Sequence, residues 1–203
     1  MHAHSPSSES SSEALQVRRL LTLEDRSDRF PVTPIGNDWT RAFYGGPFYL
    51  FALPEGRPAV SLVFVQSRDG NTAADNPSDL GGGPTDKRLI YEGLSRVAAD
   101  GVLAGAATVG RSVFFTVKHP QLVALRRDLG LPRHPAQIVM SEKGRIDFRS
   151  RVFSTPGVPV FLLAGDPCVR HCSMEVQRRP WITMVPTNGN LVAALTTLRR
   201  EHG

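Results

Sequence analysis

Four short segments of the chain contain residue types that bind phosphate or close over a ligand. In the segment 103–109, with the sequence LAGAATV, the residues between Leu103 and Thr108 are only alanine and glycine. The hydroxyl of Thr108 is a hydrogen-bond donor. Small side chains let a phosphate approach the backbone, and free N–H groups at the start of a helix favour an anion. The other three segments are the Asp69-Gly70 turn, the glycines at 81–83 and Arg96. Each also has an alternative without function. In the order given, these are tight packing, a plain turn, a surface loop and a solvated arginine.

Apolar periodicity predicts the elements that position these segments. Strands are predicted at 59–65, 101–104, 136–140, 158–163 and 181–185. Helices are predicted at 85–99, 120–129 and 191–198. This alternation predicts an α/β fold in three layers, with a mostly parallel sheet between helices on both faces. Such sheets bind ligands at the carboxyl ends of their strands.

Composition and charge exclude several classes of protein. The 203 residues are 40% hydrophobic and 21% charged, which favours one domain with an apolar core. No apolar run reaches the ~18–20 residues of a membrane span, and residues 1–13 lack the apolar stretch of a secretory signal. We therefore expect a cytoplasmic protein without a membrane partner. The net charge of +5 is spread over arginine pairs, which disfavours nucleic acid and suits phosphorylated ligands.

The chain divides into three parts. Residues 1–14 are predicted to be a disordered tail, because they contain almost no large apolar side chain. Residues 15–56 are predicted to be an irregular N-terminal arm whose aromatic side chains pack onto the main domain, which comprises residues 57–203. Cys168, His171 and Cys172 resemble metal ligands, but their spacing fits no common zinc pattern. We expect no metal, and two ordinary thiols in a reducing compartment.

Three motifs occur in a fixed order along the first half of the main domain. They are Arg57-Pro58-Ala59-Val60, the segment SRDGNTA at 67–73, and the segment LSRVAADGVLAGAATV at 94–109. Together they resemble the C-terminal reductase domain of riboflavin-biosynthesis deaminase-reductases, a family with a dihydrofolate-reductase-like fold. That family reads R-P-x-V, then S-x-D-G-x-x-A, then a helix ending L-R-x-x-A-D-A-V-L-V-G-A-x-T-V. The resemblance covers residues 57–110 well and the remainder more loosely.

The resemblance implies a homodimer that uses NADPH to reduce a 5-amino-6-(5-phosphoribosylamino)uracil-like pyrimidine, or a pterin-like relative of it. The cofactor supplies the hydride, and the protein orients both ligands and excludes water. By position in the family, Arg96 and Asp69 would bind the substrate. The cofactor contacts would come from Val65, Gly105, Ala106, Ala107, Thr108 and Ser141.

Two departures from the family pattern keep alternatives open. After Thr108-Val109 the family continues with R-A-D-D-P, whereas this chain continues GRSVFF at 110–115 without acidic residues. The family's second cofactor loop, E-G-G-P, would follow the helix at 191–198, so we expect a reductase domain that is incomplete at its C-terminus. The deaminase motifs H-x-E and P-C-x-x-C are absent from the sequence. The alternative is a catalytically silent nucleotide-binding module, or a fragment of a dihydrofolate-reductase-like oxidoreductase with a different substrate.

Overall fold

The computed structural model describes residues 32–51, 55–64, 66–72, 83–110 and 114–203. The strands in these residues are β1 (Val32–Ile35), β2 (Phe48–Phe51), β3 (Gly101–Gly105), β4 (Ala136–Ser141), β5 (Val160–Ala164) and β6 (Ile182–Pro186). The helices are α1 (Asp38–Tyr44), α2 (Gly83–Glu92), α3 (Leu94–Val97), α4 (Ala106–Val109), α5 (Pro120–Asp128), α6 (Arg151–Ser154), α7 (Asp166–Gln177) and α8 (Leu191–His202). No helix in the described part of the chain is both long and apolar enough to cross a membrane.

The main sheet has the spatial order β3-β4-β5-β6, and its strand pairs are all parallel. The predicted α/β fold is therefore confirmed. The strand predictions at 101–104, 136–140, 158–163 and 181–185 are each correct to within two residues. These strands were predictable because each contains several apolar residues in a short run, as in a sheet that helices cover on both faces.

Side chains of β5 alternate between two apolar cores. Val160, Leu162 and Ala164 face a cluster that contains Phe153 of α6 and Cys168 of α7. The intervening residues, Phe161 and Leu163, face a second cluster on the opposite side, built with Ala194 and Leu198 of α8. The period of two in the strand thus puts helices on both faces of the sheet.

The N-terminal arm is more regular than predicted. β1 and β2 form an antiparallel hairpin with α1 between them. Asn37 caps α1: its side chain accepts a hydrogen bond from the Thr40 N–H (3.0 Å), and the Thr40 hydroxyl accepts one from the Asn37 N–H (2.8 Å). The ring of Trp39 lies 4.2 Å from that of His119. The tail predicted at 1–14 lies outside the described residues.

The strand predicted at 59–65 is wrong for the residues that the structure describes. Residues 57–64 have no regular secondary structure, and Val60, Leu62 and Phe64 are 71%, 79% and 58% exposed. A β-branched apolar run becomes a strand only where it can pair with a neighbour. In the described residues β3 pairs with β4 alone, and the run at 59–64 does not pair with the other edge of β3.

The single helix predicted at 85–99 is divided into α2 and α3 by Gly93. Gly93 is buried, and a Cβ at this position would overlap the backbone carbonyl of Leu89. The helices predicted at 120–129 and 191–198 are confirmed as α5 and α8, although α8 extends to His202. Gly130 ends α5 in the left-handed conformation, with φ +71°.

Candidate functional site

Three parallel strands end together at one edge of the main sheet. Ser141 of β4 is in register with Ala164 of β5, which is in register with Pro186 of β6. Beyond these ends lies a cleft of about 230 Å³, lined by Met140, Ser141, Glu142, Leu163, Gly165, Thr187, Gly189 and Leu191. This cleft is at the carboxyl edge, where open α/β sheets bind their ligands.

Backbone hydrogen bonds hold two hydroxyl groups in the cleft. The Gly165 N–H donates to the Ser141 carbonyl (3.1 Å), and the Thr187 N–H donates to the Ala164 carbonyl (2.8 Å). The Ser141 hydroxyl accepts from the Gly144 N–H (3.1 Å), which leaves its own proton available to a ligand. Both side chains are buried, so their positions are fixed by the surrounding backbone.

Gly165 connects β5 to α7 and is the N-cap of this twelve-residue helix. A Cβ at Gly165 would overlap the carboxylate of Glu142. Because glycine has no Cβ, the Glu142 side chain can occupy this space. Asp166 adds a second carboxylate in the first turn of α7. A helix start that carries two carboxylates repels an added phosphate, but it can accept hydrogen bonds from hydroxyl groups of a ligand.

The small-residue segment lies at the same edge of the sheet as the cleft. Gly105 is in register with Met140 on the neighbouring strand β4. The four-residue helix α4 follows directly, with Ala107 and Thr108 exposed and Val109 buried in the core. Five of the predicted cofactor residues therefore lie at the ends of two adjacent strands or in the short helix that follows one of them, namely Gly105, Ala106, Ala107, Thr108 and Ser141. Their contact with a cofactor stays a prediction.

Arg96 lies away from this edge. It belongs to α3, which precedes the amino end of β3, and it is 1% exposed. Its guanidinium packs over the ring of Phe115, at 4.8 Å from the ring centroid, and burial lowers the pKa of Arg96 to about 10. Its Nε and Nη1 have no hydrogen-bond partner among the described residues. The predicted contact with substrate therefore requires movement of the residues around Arg96, and it stays a prediction.

The carboxylate of Asp69 is engaged in a tight turn. The Ser67 hydroxyl donates to Asp69, and the Ser67 N–H donates to the Asn71 carbonyl (2.9 Å). Hydrogen bonds from Ser67 and from the backbone N–H groups of Asp69 and Asn71 hold the pKa of Asp69 below its ordinary value. These contacts match the turn-forming alternative. A substrate contact by Asp69 stays a prediction, and Val65 lies outside the described residues.

Of the eight residues that line the cleft, the sequence analysis identified Ser141 alone as a site residue. Glu142, Gly165 and Thr187 each follow directly after the end of a strand. A signal was present, because Gly165-Asp166-Pro167 combines an N-cap glycine with a proline in the first turn of a helix. The helix α7 that this signal marks was also missed.

The two cysteines lie next to each other inside the core. Their sulfur atoms are 3.7 Å apart, and burial is the main cause that raises the pKa of Cys172 to about 12. His171 is exposed, with its Nδ1 3.4 Å from the Lys143 carbonyl oxygen. In the ranges that the structure describes, no three histidine, cysteine, aspartate or glutamate side chains are grouped as metal ligands.

The comparisons with known proteins bear on the fold. Neither a protein-family model nor a curated relative matches the sequence. The crystal structure of a pyrimidine reductase-like protein from Corynebacterium diphtheriae is similar, with a TM-score of 0.50 and 22% sequence identity. The alignment covers 68% of this chain and 59% of that one, so this chain spans less than two thirds of that protein. The chain therefore has an α/β fold similar to that of a pyrimidine reductase-like protein.

Proposed function

We propose that the chain is a reductase that transfers a hydride from NADPH to 5-amino-6-(5-phosphoribosylamino)uracil or a closely related pyrimidine. The observation that carries this proposal is the cleft in which β4, β5 and β6 end together with two buried hydroxyls and the N-cap glycine of α7. Nucleotide ligands of open parallel sheets bind in such a crevice. The similar fold of a pyrimidine reductase-like protein supports the choice of reaction.

The residues of the cleft fit the adenosine half of a dinucleotide. Leu163 and Leu191 provide apolar surface for a base, and Ser141 and Thr187 provide hydroxyl groups. Glu142 lines the same cleft, and its carboxylate would accept hydrogen bonds from ribose hydroxyls. A 2′-phosphate needs cations in the same region, and the loop after Ser141 carries the exposed residues Lys143 and Arg145.

We place the nicotinamide half toward β3, which lies about 4.8 Å from β4. When bound, the cofactor supplies the hydride, and residues of the chain hold and screen the two ligands. Gly105, Ala106 and Ala107 have side chains small enough for a ring or a phosphate to approach the backbone. The exposed hydroxyl of Thr108 is the hydrogen-bond donor of this segment.

Titration of the chain with NADPH tests the proposal. We expect saturable binding that raises the melting temperature, because a ligand of the folded state stabilises that state. Gly165→Val puts side-chain atoms where the Glu142 carboxylate lies and displaces it, so it should weaken NADPH binding at least tenfold. Gly46→Ala is the control, since a Cβ at Gly46 meets no atom within 4 Å. Absence of binding by folded protein, or equal affinity in all three proteins, would contradict the cofactor site.

A silent nucleotide-binding module is the second candidate. The observation that favours it is that both predicted substrate residues already make contacts within the protein. Arg96 is buried under Phe115, and Asp69 is hydrogen-bonded within its turn. The two candidates differ in turnover. A reductase oxidises NADPH when the ribosylamino-pyrimidine phosphate is added, whereas a silent module binds NADPH without oxidising it. Light scattering on the same samples tests the expected homodimer.

A further inference from the structure

A second cavity lies at the opposite end of the sheet from the cofactor cleft. It has a volume of about 240 Å³ and is lined by Phe114, Thr116, Val117, Lys118, Arg133, His134 and Arg151. His134 precedes the amino end of β4, whereas the cleft begins at its carboxyl end. The six residues of β4 separate the two sites by roughly 16 Å. This cavity is therefore distinct from the proposed cofactor site.

The described lining of the cavity contains three cationic side chains. Lys118, Arg133 and Arg151 are exposed at its rim, and no carboxylate is among the described residues that line it. In the described part of the chain, none of these three residues forms an ion pair. Several other exposed arginines do pair with an acidic neighbour within 4 Å, namely Arg41, Arg127, Arg149 and Arg178. Like charges around one cavity repel each other, and a bound anion removes that repulsion.

The walls of the cavity are fixed by buried hydrogen bonds. The Gln137 side chain bonds both the N–H and the carbonyl of Phe115, each at 2.8 Å. The Val117 N–H donates to Nδ1 of His134 (3.0 Å). Because Nδ1 accepts this bond, the neutral His134 ring carries its proton on Nε2 and is a donor there. The guanidinium of Arg151 lies over the ring of Phe114, 5.9 Å from its centroid.

Two buried arginines add positive charge behind this wall. Arg96 and Arg126 are 1% and 0% exposed. Nε and Nη1 of Arg96 and Nη2 of Arg126 have no hydrogen-bond partner among the described residues. Burial, together with the charges of Arg133 and Arg126, lowers the pKa of His134. Burial is the larger cause, and the smaller part that Arg133 and Arg126 contribute reflects a positive electrostatic potential at His134.

We propose that this cavity binds the phosphate group of a small molecule, a phosphomonoester or a diphosphate. Lys118, Arg133 and Arg151 would neutralise the dianion, and the Thr116 hydroxyl is a further donor in the lining. The volume is below the usual range for whole drug-sized ligands, so it suits a phosphate-bearing fragment of a small molecule. The site does not depend on the proposed cofactor cleft.

Calorimetric titration of the full chain with inorganic pyrophosphate tests this proposal, with ribose 5-phosphate as the monoester arm. We expect saturable binding of at least one of them at one site per chain. Arg133→Glu and Lys118→Glu should each weaken it at least tenfold. The matched control is Arg170→Glu, which makes the same charge change on an exposed arginine of α7 and should alter affinity less than twofold.

The remaining outcomes are equally decisive. Absence of saturable binding by folded protein, judged by circular dichroism, would overturn the proposal. If Arg170→Glu weakened phosphate binding as much as Arg133→Glu and Lys118→Glu do, the net charge of the protein would explain the loss. That result would also overturn the proposal. Duplex DNA could also bind more tightly than pyrophosphate and ribose 5-phosphate. If all three substitutions weakened that binding equally, the ligand would be a nucleic acid and the proposal would be overturned. NADPH affinity should be unchanged in Arg133→Glu, which separates this site from the cofactor cleft.

Discussion

The side-chain amide of Gln137 pairs with both backbone polar groups of Phe115, as a neighbouring strand would. Its Oε1 accepts from the Phe115 N–H, and its Nε2 donates to the Phe115 carbonyl and to the Pro135 carbonyl (2.9 Å). The side chain of Gln137 is fully buried at the amino end of β4. One polar side chain therefore attaches the segment 114–118, which has no regular secondary structure, to the main sheet.

Replacement of Gln137 by leucine should destabilise the protein. It leaves buried backbone groups of Phe115 without partners, and the free energy of unfolding should fall by roughly 2–4 kcal/mol. Denaturant unfolding measures this change. Gln177→Leu is the control, because Gln177 is exposed at the end of α7 and should change stability by less than about 0.5 kcal/mol. If Gln137→Leu lowered the free energy of unfolding as little as Gln177→Leu does, the pairing of Gln137 with Phe115 would not stabilise the protein.

Arg126 should contribute strongly to stability, whereas its neighbour Arg127 should not. The buried guanidinium of Arg126 donates to the carbonyls of Pro132 (2.8 Å) and Ala99 (2.8 Å). Arg126→Leu leaves these acceptors unpaired, and we expect a loss of about 2–4 kcal/mol in the free energy of unfolding. Arg127 is exposed, and Arg127→Leu should stay within about 0.5 kcal/mol of the unchanged protein.

Lysine should not rescue position 126. Its ammonium group is a single point of charge and cannot reproduce the planar fork that reaches two separate carbonyls. Thermal unfolding of Arg126→Lys should therefore resemble that of Arg126→Leu. A melting temperature equal to that of the unchanged protein would show that charge alone is sufficient at this position.

The thiol of Cys172 should be unreactive in the folded protein. Burial raises its pKa to about 12, so the reactive thiolate is scarce near neutral pH. A chromogenic disulfide reagent at pH 8 should label neither cysteine before unfolding and both in denaturant, since the chain has two cysteines. Rapid labelling of the native protein would contradict the buried geometry.

The same pKa shift predicts how stability depends on alkaline pH. The folded state keeps the Cys172 thiol neutral up to about pH 12, whereas an unfolded thiol ionises near its ordinary pKa of about 8.5. The contribution of the neutral thiol is complete below that ordinary value and decreases as pH rises above it. In Cys172→Ala this alkaline decrease should be smaller, which denaturant unfolding at several pH values can measure.

The pKa of Asp69 should report the integrity of its turn. Because hydrogen bonds from Ser67 and the backbone lower this pKa, Ser67→Ala should raise it toward the ordinary value. The contribution of the carboxylate to the turn is present above its ordinary pKa and is lost as pH falls through the lowered value. Carbon-13 NMR titration of the side chain measures both effects. An identical pKa in Ser67→Ala would exclude the Ser67 bond as the main cause.

The candidate site was only partly predictable. Gly105 and Thr108 were found from the residues themselves, because a short apolar run ends in small residues there, which is a local property of the sequence. Ser141 was found only through its position in the family resemblance. Glu142, Gly165 and Thr187 meet only because β4, β5 and β6 are adjacent and in register. The lining of the cationic cavity has the same origin, since Lys118, Arg133 and Arg151 belong to separate segments.

The sequence by itself determined the four strands of the main sheet and the turn at Asp69-Gly70, because apolar runs and turn residues act over a few neighbouring positions. Tertiary structure decided whether the run at 59–64 became a strand and whether Arg96 was buried. The apolar run at 59–64 lacks a strand partner in the described residues, so its composition alone did not make it a strand. Arg96, an exposed type of residue on average, is sealed beneath Phe115. Both outcomes depend on which surfaces meet after folding, and local periodicity contains no information about that.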